Sequence, residues 1–276
     1  MISRPAFSPA DELQRCAEML FKYWVLAVPP AVASVAIVLV VFATVLTLVG
    51  SVFAGAFLGG GHSATGAGFG FGFGAIVGLG GIVLGFVALN LTQAVTKHAA
   101  LDAFADRRPN LEASFRAVLP RLGDLSLAML LSFALLIVPA LLCVVLIGIP
   151  LLLVAVYLLI YVQAAVVLGG EDAFTALGTS LRLARTHVGH TIVLAIGVIV
   201  VWVLGSVANA LFVHVPLVNL VAGFAIGGLT SAYVAMATGR FYLVLRDLPP
   251  DSANATPPPP PAAPPPANYG PPTMLR

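Results

Sequence analysis

Six stretches of this chain, at about 26–49, 75–96, 125–147, 150–168, 191–213 and 217–239, hold no Asp, Glu, Lys or Arg. A helix needs roughly 20 apolar residues to cross a bilayer, whereas a membrane strand needs only about 10. The runs therefore predict six transmembrane helices. Inside hydrocarbon an exposed backbone has no water to bond with, so a helix that satisfies its own groups is the form such runs must take. Composition agrees, with 60% of the 276 residues hydrophobic and 9% charged, against roughly 25% charged in soluble domains. The predicted fold class is all-α, a polytopic bundle of six helices arranged as three hairpins.

Charge placement orients the bundle. Lys and Arg occur 13 times and Asp and Glu 11 times. On the six-span reading every one of them falls on a single face, while the opposite loops carry only His62 and His214. The positive-inside rule puts the charged face and both termini in the cytoplasm of a bacterial inner membrane. A net charge of +2, without Lys/Arg runs interleaved with aromatics, excludes nucleic acid as a partner. Cys16 and Cys143 fall at different predicted depths, so no disulfide is expected. The polar start and the length of the first run argue against a cleaved signal peptide.

Three regions follow: an amphipathic interfacial helix over 1–24, a six-helix domain over 25–247, and a proline-rich cytoplasmic tail over 248–276. In the first, Ser8 is a natural N-cap with Pro9 behind it. Leu13, Cys16, Ala17, Leu20, Phe21 and Trp24 recur at helical spacing. Asp11 with Arg15 and Glu18 with Lys22 are predicted (i, i+4) pairs. Spans three and four are joined by Gly148, Ile149 and Pro150, and spans five and six by His214, Val215 and Pro216, so each pair reads as a tight hairpin. Pro139 is expected to kink the third span without ending it.

The chain also repeats itself. Ser114, Arg116, Arg121, Gly123 and Asp124 align without gaps with Ser180, Arg182, His187, Gly189 and His190. Upstream, Gln93, Ala94, Asp102, Ala103 and Phe104 align with Gln163, Ala164, Asp172, Ala173 and Phe174. These define two internal copies, about 93–168 and 163–239, and the first hairpin shares their layout as a diverged third. Such repeats build pseudosymmetric membrane folds. Two ion pairs, Asp102 with Arg116 and Asp172 with Arg182, are predicted to pin each in-plane helix to the span before it.

Gly148-Ile-Pro-Leu-Leu-Leu, Ala165-Val-Val-Leu and the segment from Glu171 to Arg185 resemble a bacterial six-helix membrane family. Its members include the membrane domain fused to some glycerophosphodiester phosphodiesterases, together with stand-alone relatives of unknown function. Glu171, Ala176, Leu177, Ser180 and Leu183 fit its pattern, and Ile149-Pro150 stands where the family often has Pro-Gly. The likeness covers roughly residues 75 to 246. It implies fold and location, and it transfers no catalytic residue, because the family's enzymatic activity belongs to a separate barrel.

Candidate chemistry is thin. Gly61-His62-Ser63-Ala64-Thr65 approaches the Gly-x-Ser-x-Gly elbow of hydrolases, but Thr65 breaks it. His187 and His190 share a helical face without a third metal ligand, and read as interfacial. Gly70, Gly74 and Gly78, then Gly81 and Gly85, and also Gly223 and Gly227, repeat at four-residue spacing and are expected to let helices approach closely, the other reading being a flexible outer gate or pore lining. Asn90, Gln93, Gln163 and Asn209 are predicted buried amides, of a kind that more often joins helices than binds solute. No span has an ionisable residue at its centre, which disfavours ion-coupled transport.

No catalytic, cofactor-binding or metal-binding residue is expected, and the chain reads as non-enzymatic. The leading reading is a lipid-associated scaffold or membrane-homeostasis factor. In it Arg107, Arg108, Arg116, Arg121, Arg182 and Arg185 form a collar for anionic headgroups, each worth about 1 kcal/mol. Two alternatives stand beside it: a permease or channel for a small neutral or lipidic solute, and a membrane anchor whose polyproline tail recruits a cytoplasmic partner.

Overall fold

The computed structural model describes residues 8–58, 64–143 and 146–248, with side chains described for all of these except 41, 48, 51–79, 82, 216 and 217. The tail after 248, the linker 144–145, and the His62 and Ser63 of the elbow-like motif lie outside the described residues. Ten α-helices occur among them and no strand: α1 Pro9–Lys22, α2 Val28–Leu58, α3 Ala64–Phe104, α4 Leu111–Val118, α5 Leu122–Leu142, α6 Gly148–Leu159, α7 Val162–Ala164, α8 Ala173–Thr186, α9 Val188–Ala210 and α10 Pro216–Asp247. Five segments are long and apolar enough to cross a membrane: Trp24–Thr47, Leu111–Leu142, Gly148–Gly169, Val188–Ala210 and Val218–Asp247. The remaining predicted run, 75–96, lies within α3. Pro139 sits inside α5, which continues past it to Leu142.

The short helices α1, α4 and α8 each precede a long one, and each turns into it at one residue. Those residues are Tyr23 (φ −121°, ψ 58°), Arg121 (φ −95°, ψ 5°) and His187 (φ −121°, ψ 55°). Seven positions before each hinge stands a small buried side chain: Cys16, Ser114 and Ser180. Sequence comparison finds the second and third of this set. Cys16 completes it by place rather than by identity. Ser180 shows the job best. Its hydroxyl donates to the Leu158 carbonyl at 2.7 Å and accepts from the Tyr161 amide at 3.2 Å, bridging the break between α6 and α7.

After α7 the helix widens into a π turn, Ala165–Gly169, and ends at Gly170 in the left-handed region at φ 71°. Widening frees carbonyls from their usual partners. Arg121 takes them, donating to Val167 O at 2.9 Å and Val166 O at 3.3 Å. Gly170 is needed on two counts, because its φ disfavours any side chain and a Cβ would stand 3.1 Å from Arg121 Nη2.

The packed core lies at the charge-bearing end. Leu20, Leu26, Val118, Leu125, Tyr161, Leu194, Met236, Phe241, Tyr242 and Leu245 are all buried there. α1 wedges between α9 and α10, with Leu13 against Gly197 and its carbonyl accepting from Tyr233 at 3.2 Å. Toward the other end, large apolar side chains of α2, α5, α6, α9 and the start of α10 are exposed. Such surfaces suit a lipid solvent. Gly81 and Gly85 do meet α2 closely, facing Val40, Thr44 and Ile37. Gly70, Gly74 and Gly78 lie where only the helical backbone is described.

Two glycines should respond in opposite directions. Gly170→Ala is expected to cost about 1 kcal/mol or more, lowering the thermal midpoint of the detergent-purified protein. Gly178→Ala, inside α8 with open space where its Cβ would go, should raise it, by roughly 0.5–1 kcal/mol. Equal midpoints for the two variants would contradict the assigned backbone.

Candidate functional site

Two regions concentrate polar side chains. The first is the joint at the charge-bearing end. Lys97 of α3 is 4% exposed and donates to Gln163 Oε1, while Gln163 Nε2 donates to Asn90 O at 3.2 Å. No carboxylate lies within 4 Å of Lys97 among the described residues. Beside it, Tyr242 donates to Glu171 Oε1 at 3.3 Å, while Glu171 Oε2 is buried without a partner. Gly169 lets Tyr242 approach the backbone. His98 meets Ser114 at 3.2 Å, and burial above all lowers its pKa, with Arg121 adding to the shift and Asp102 opposing it.

The predicted ion pairs do not form. Arg116 pairs with Glu112 one turn back, at 2.6 Å. Asp172 is instead the N-cap of α8, its Oδ2 accepting from the Phe174 and Thr175 amides at 3.2 and 3.3 Å, and these hydrogen bonds lower its pKa. Asp102 stays within α3. Aligned positions diverge because Gly169-Gly170 end one helix before Asp172, whereas Ala99-Ala100 let the other run on to Phe104. The N-terminal (i, i+4) pairs are also replaced. Lys22 reaches Asp106 at 2.9 Å, raising its own pKa and lowering that of Asp106, and Glu18 accepts from Gln14. A second long-range ion pair fastens α1, Glu12 with Arg240, a two-point contact at 2.9 and 3.2 Å with both side chains largely buried and Arg240 over the Phe104 ring.

Of the six collar arginines, Arg121 is committed to the π-turn carbonyls and Arg116 to Glu112. Arg107, Arg108, Arg182 and Arg185 are exposed and form no ion pair among the described residues. Arg182 and Arg185 lie on α8, six and three residues before Val188, which lines an apolar slot of about 580 Å³ between α6 and α9. Tyr157 and Val188 line its foot, and Ile192, Ala195 and Ile199 continue its wall. Tyr157 donates to Ala184 O at 2.7 Å, linking the slot to α8.

The second polar region is a cavity of about 380 Å³ along the α9/α10 hairpin, with Gln93 of α3 at its floor. Gln93 donates to Ser231 at 2.5 Å. Two predicted amides, Gln93 and Asn209, thus share one cavity with Ser206, Thr230 and Ser231. Asn90 donates to Phe86 O of its own helix at 2.8 Å. Gly223 packs against Asn209 and Gly227 meets open space, so this glycine pair lines a cavity where close helix contact is expected. The close approach falls to Gly228, whose Cβ would come within 2.7 Å of Ala31. His187 is buried at the α9 hinge, with its ring 6.2 Å from that of His190. No group of three or more His, Cys, Asp or Glu side chains placed to hold a metal occurs among the described residues.

Comparison with protein-family models, curated proteins and solved structures gives no match to this chain. The site rests on its own geometry. Sequence reasoning missed Lys97 on Gln163, Tyr242 on Glu171, and Glu12 with Arg240 as a clamp. Lys97 stands one residue past an apolar run, where it looks like an interface anchor, and only the arrival of Gln163 buries it. The clamp joins residues 228 positions apart, which no local spacing announces.

Cys16 offers a direct probe of the joint. Burial above all, and then the Glu12 charge, push its thiol up to about 12, with Arg240 and Arg15 opposing. A raised pKa keeps the thiol protonated, so only about one molecule in 10,000 is thiolate at pH 8, against roughly a quarter for an ordinary cysteine. N-ethylmaleimide should leave Cys16 unmodified in the folded protein and label it rapidly in denaturant. Labelling of the folded protein at the denatured rate would show that the joint is open.

Proposed function

We propose that this chain is a non-enzymatic multi-pass protein of a bacterial cytoplasmic membrane that holds anionic phospholipid of the inner leaflet. In this reading α3 supplies a sixth span, both termini are cytoplasmic as the one-sided charges imply, and α1, α4 and α8 lie in the interface. Exposed Phe21 and Trp24 suit that depth, where aromatic rings settle at the headgroup level. The resemblance to the six-helix family supports the same architecture.

One observation carries the lipid assignment: the apolar slot between α6 and α9 begins at Val188, three residues after the exposed Arg185. From Val188 to Ile199 it runs about 16 Å at 1.5 Å per residue, half of a hydrocarbon core of about 30 Å. That is the reach of one acyl chain in one leaflet. Arg182 and Arg185 supply charge complementary to a phosphate at its mouth. Gln163, Ser180 and Tyr161 of the joint are engaged in holding helices together, which supports a binding protein over an enzyme.

At about 1 kcal/mol for each juxtamembrane arginine, replacing both should weaken anionic lipid binding roughly 30-fold. Native mass spectrometry of the protein with its retained lipids checks this in the Arg182→Gln/Arg185→Gln variant. Phosphatidylglycerol retained at the level of the unaltered protein would remove the basis for the assignment.

A further inference from the structure

The α9/α10 cavity is not explained by an anionic lipid site. It extends from Val198 and Val234 to Asn209 and Gly223, about 16 Å along each helix. Both helices lie in membrane-crossing segments, and the cavity opens sideways past Trp202, which is 67% exposed, and the exposed Ser206. Whatever fills it comes from hydrocarbon or reaches it through hydrocarbon.

Its chemistry narrows the occupant. Among the described residues no Asp, Glu, Lys, Arg or His lines it, so an ionised group would enter without a counter-charge, at a cost that membrane interiors impose heavily. Hydrogen-bonding groups are nevertheless abundant there. Asn209 Oδ1 is pressed against Gly223 with no partner in the protein, and a rotation of the carboxamide would turn it to the cavity. Thr230 brings its hydroxyl to the wall, close enough to Gly205 that a Cβ there would be 2.7 Å away. An alkyl chain alone would leave these groups unsatisfied in a lipid environment, an unfavourable state. The wall also includes Val198, Trp202, Ile226 and Val234, which suit a lipid backbone and the first methylenes of its chains. Volumes of this order are typical of ligand pockets.

We propose that this cavity binds the uncharged headgroup of a neutral lipid bearing hydroxyl and ester carbonyl groups, of the diacylglycerol class. The chains leave through the lateral opening into the bilayer. Asn209 and Thr230 hydrogen-bond the headgroup. The site is independent of the arginines of α8, although Val198 lines both it and the apolar slot.

Gly227 makes a clean test. It lines the cavity and its Cβ would meet nothing within 4 Å, so Gly227→Leu starts its side chain into open space at the site and, in a helix interior, favours folding. The full chain is reconstituted in phosphatidylcholine vesicles containing a diazirine-bearing diacylglycerol, irradiated, and mapped by peptide mass spectrometry. Labelling is expected to concentrate on residues 198–209 and 223–234, and to fall to background in Gly227→Leu with an unchanged or raised thermal midpoint. Thr230→Val, of the same shape, should reduce it by about fivefold. Excess unlabelled diacylglycerol should displace the probe, and Arg182→Gln/Arg185→Gln should leave labelling unchanged. Labelling spread evenly over the spans, or surviving Gly227→Leu, would overturn the site. Displacement by glycerol as effective as by diacylglycerol would overturn the lipid and make the ligand a water-soluble polyol.

Discussion

The guanidinium of Arg121 reaches the carbonyls of Val166 and Val167 at the point where the helix widens and ends, and the charge-bearing end is arranged around that contact. Without it the π turn would leave acceptors unpaired at buried Val166 and Val167, which is costly away from water. With it, the chain can stop at Gly170, cap α8 with Asp172 and turn again at His187. The hinge of one unit thereby satisfies the preceding span's end in the next. The same end carries the core, because short helices laid across span termini give apolar side chains something to pack on besides lipid.

Polar side chains divide by use. Gln163, Lys97, Ser180, Tyr161 and Thr191 bond across elements and are buried. Their satisfaction holds helices at a fixed spacing in a medium that supplies little hydrophobic force between them. Asn209 and Thr230 face a space the helices leave between themselves. Glycine decides which outcome holds, since Gly228 draws α10 onto α2 while its neighbour Gly227 leaves room beside α9. One residue of rotation, about 100°, separates a packing face from the face that lines the cavity.

Much of the architecture was legible before any coordinates. The membrane-crossing segments follow from apolar length, a property each segment carries alone. The caps of α1 and the passage of α5 through Pro139 follow from local backbone chemistry. The ion pairs were misread for a physical reason. In the two repeat copies local partners prevail, since Glu112 stands one helical turn from Arg116 and backbone amides lie two and three residues from Asp172, whereas Lys22 leaves its local partner for Asp106 where the fold brings α1 and the end of α3 together. Aligned aspartates were also assumed to share a role, yet two glycines against two alanines give them different backbones.

The sequence by itself determined that this chain carries segments long and apolar enough to cross a membrane, and that α1 is capped at Ser8. These are properties of composition and of hydrogen bonds within a few residues. Only the tertiary structure decided that Lys97 is buried on Gln163, that Glu12 clamps Arg240, and that Asn209 and Gln93 share a cavity. Each of those joins residues far apart in the chain, and each depends on helix rotation and depth. An apolar run leaves both unspecified, because in lipid every face of it is equally at home.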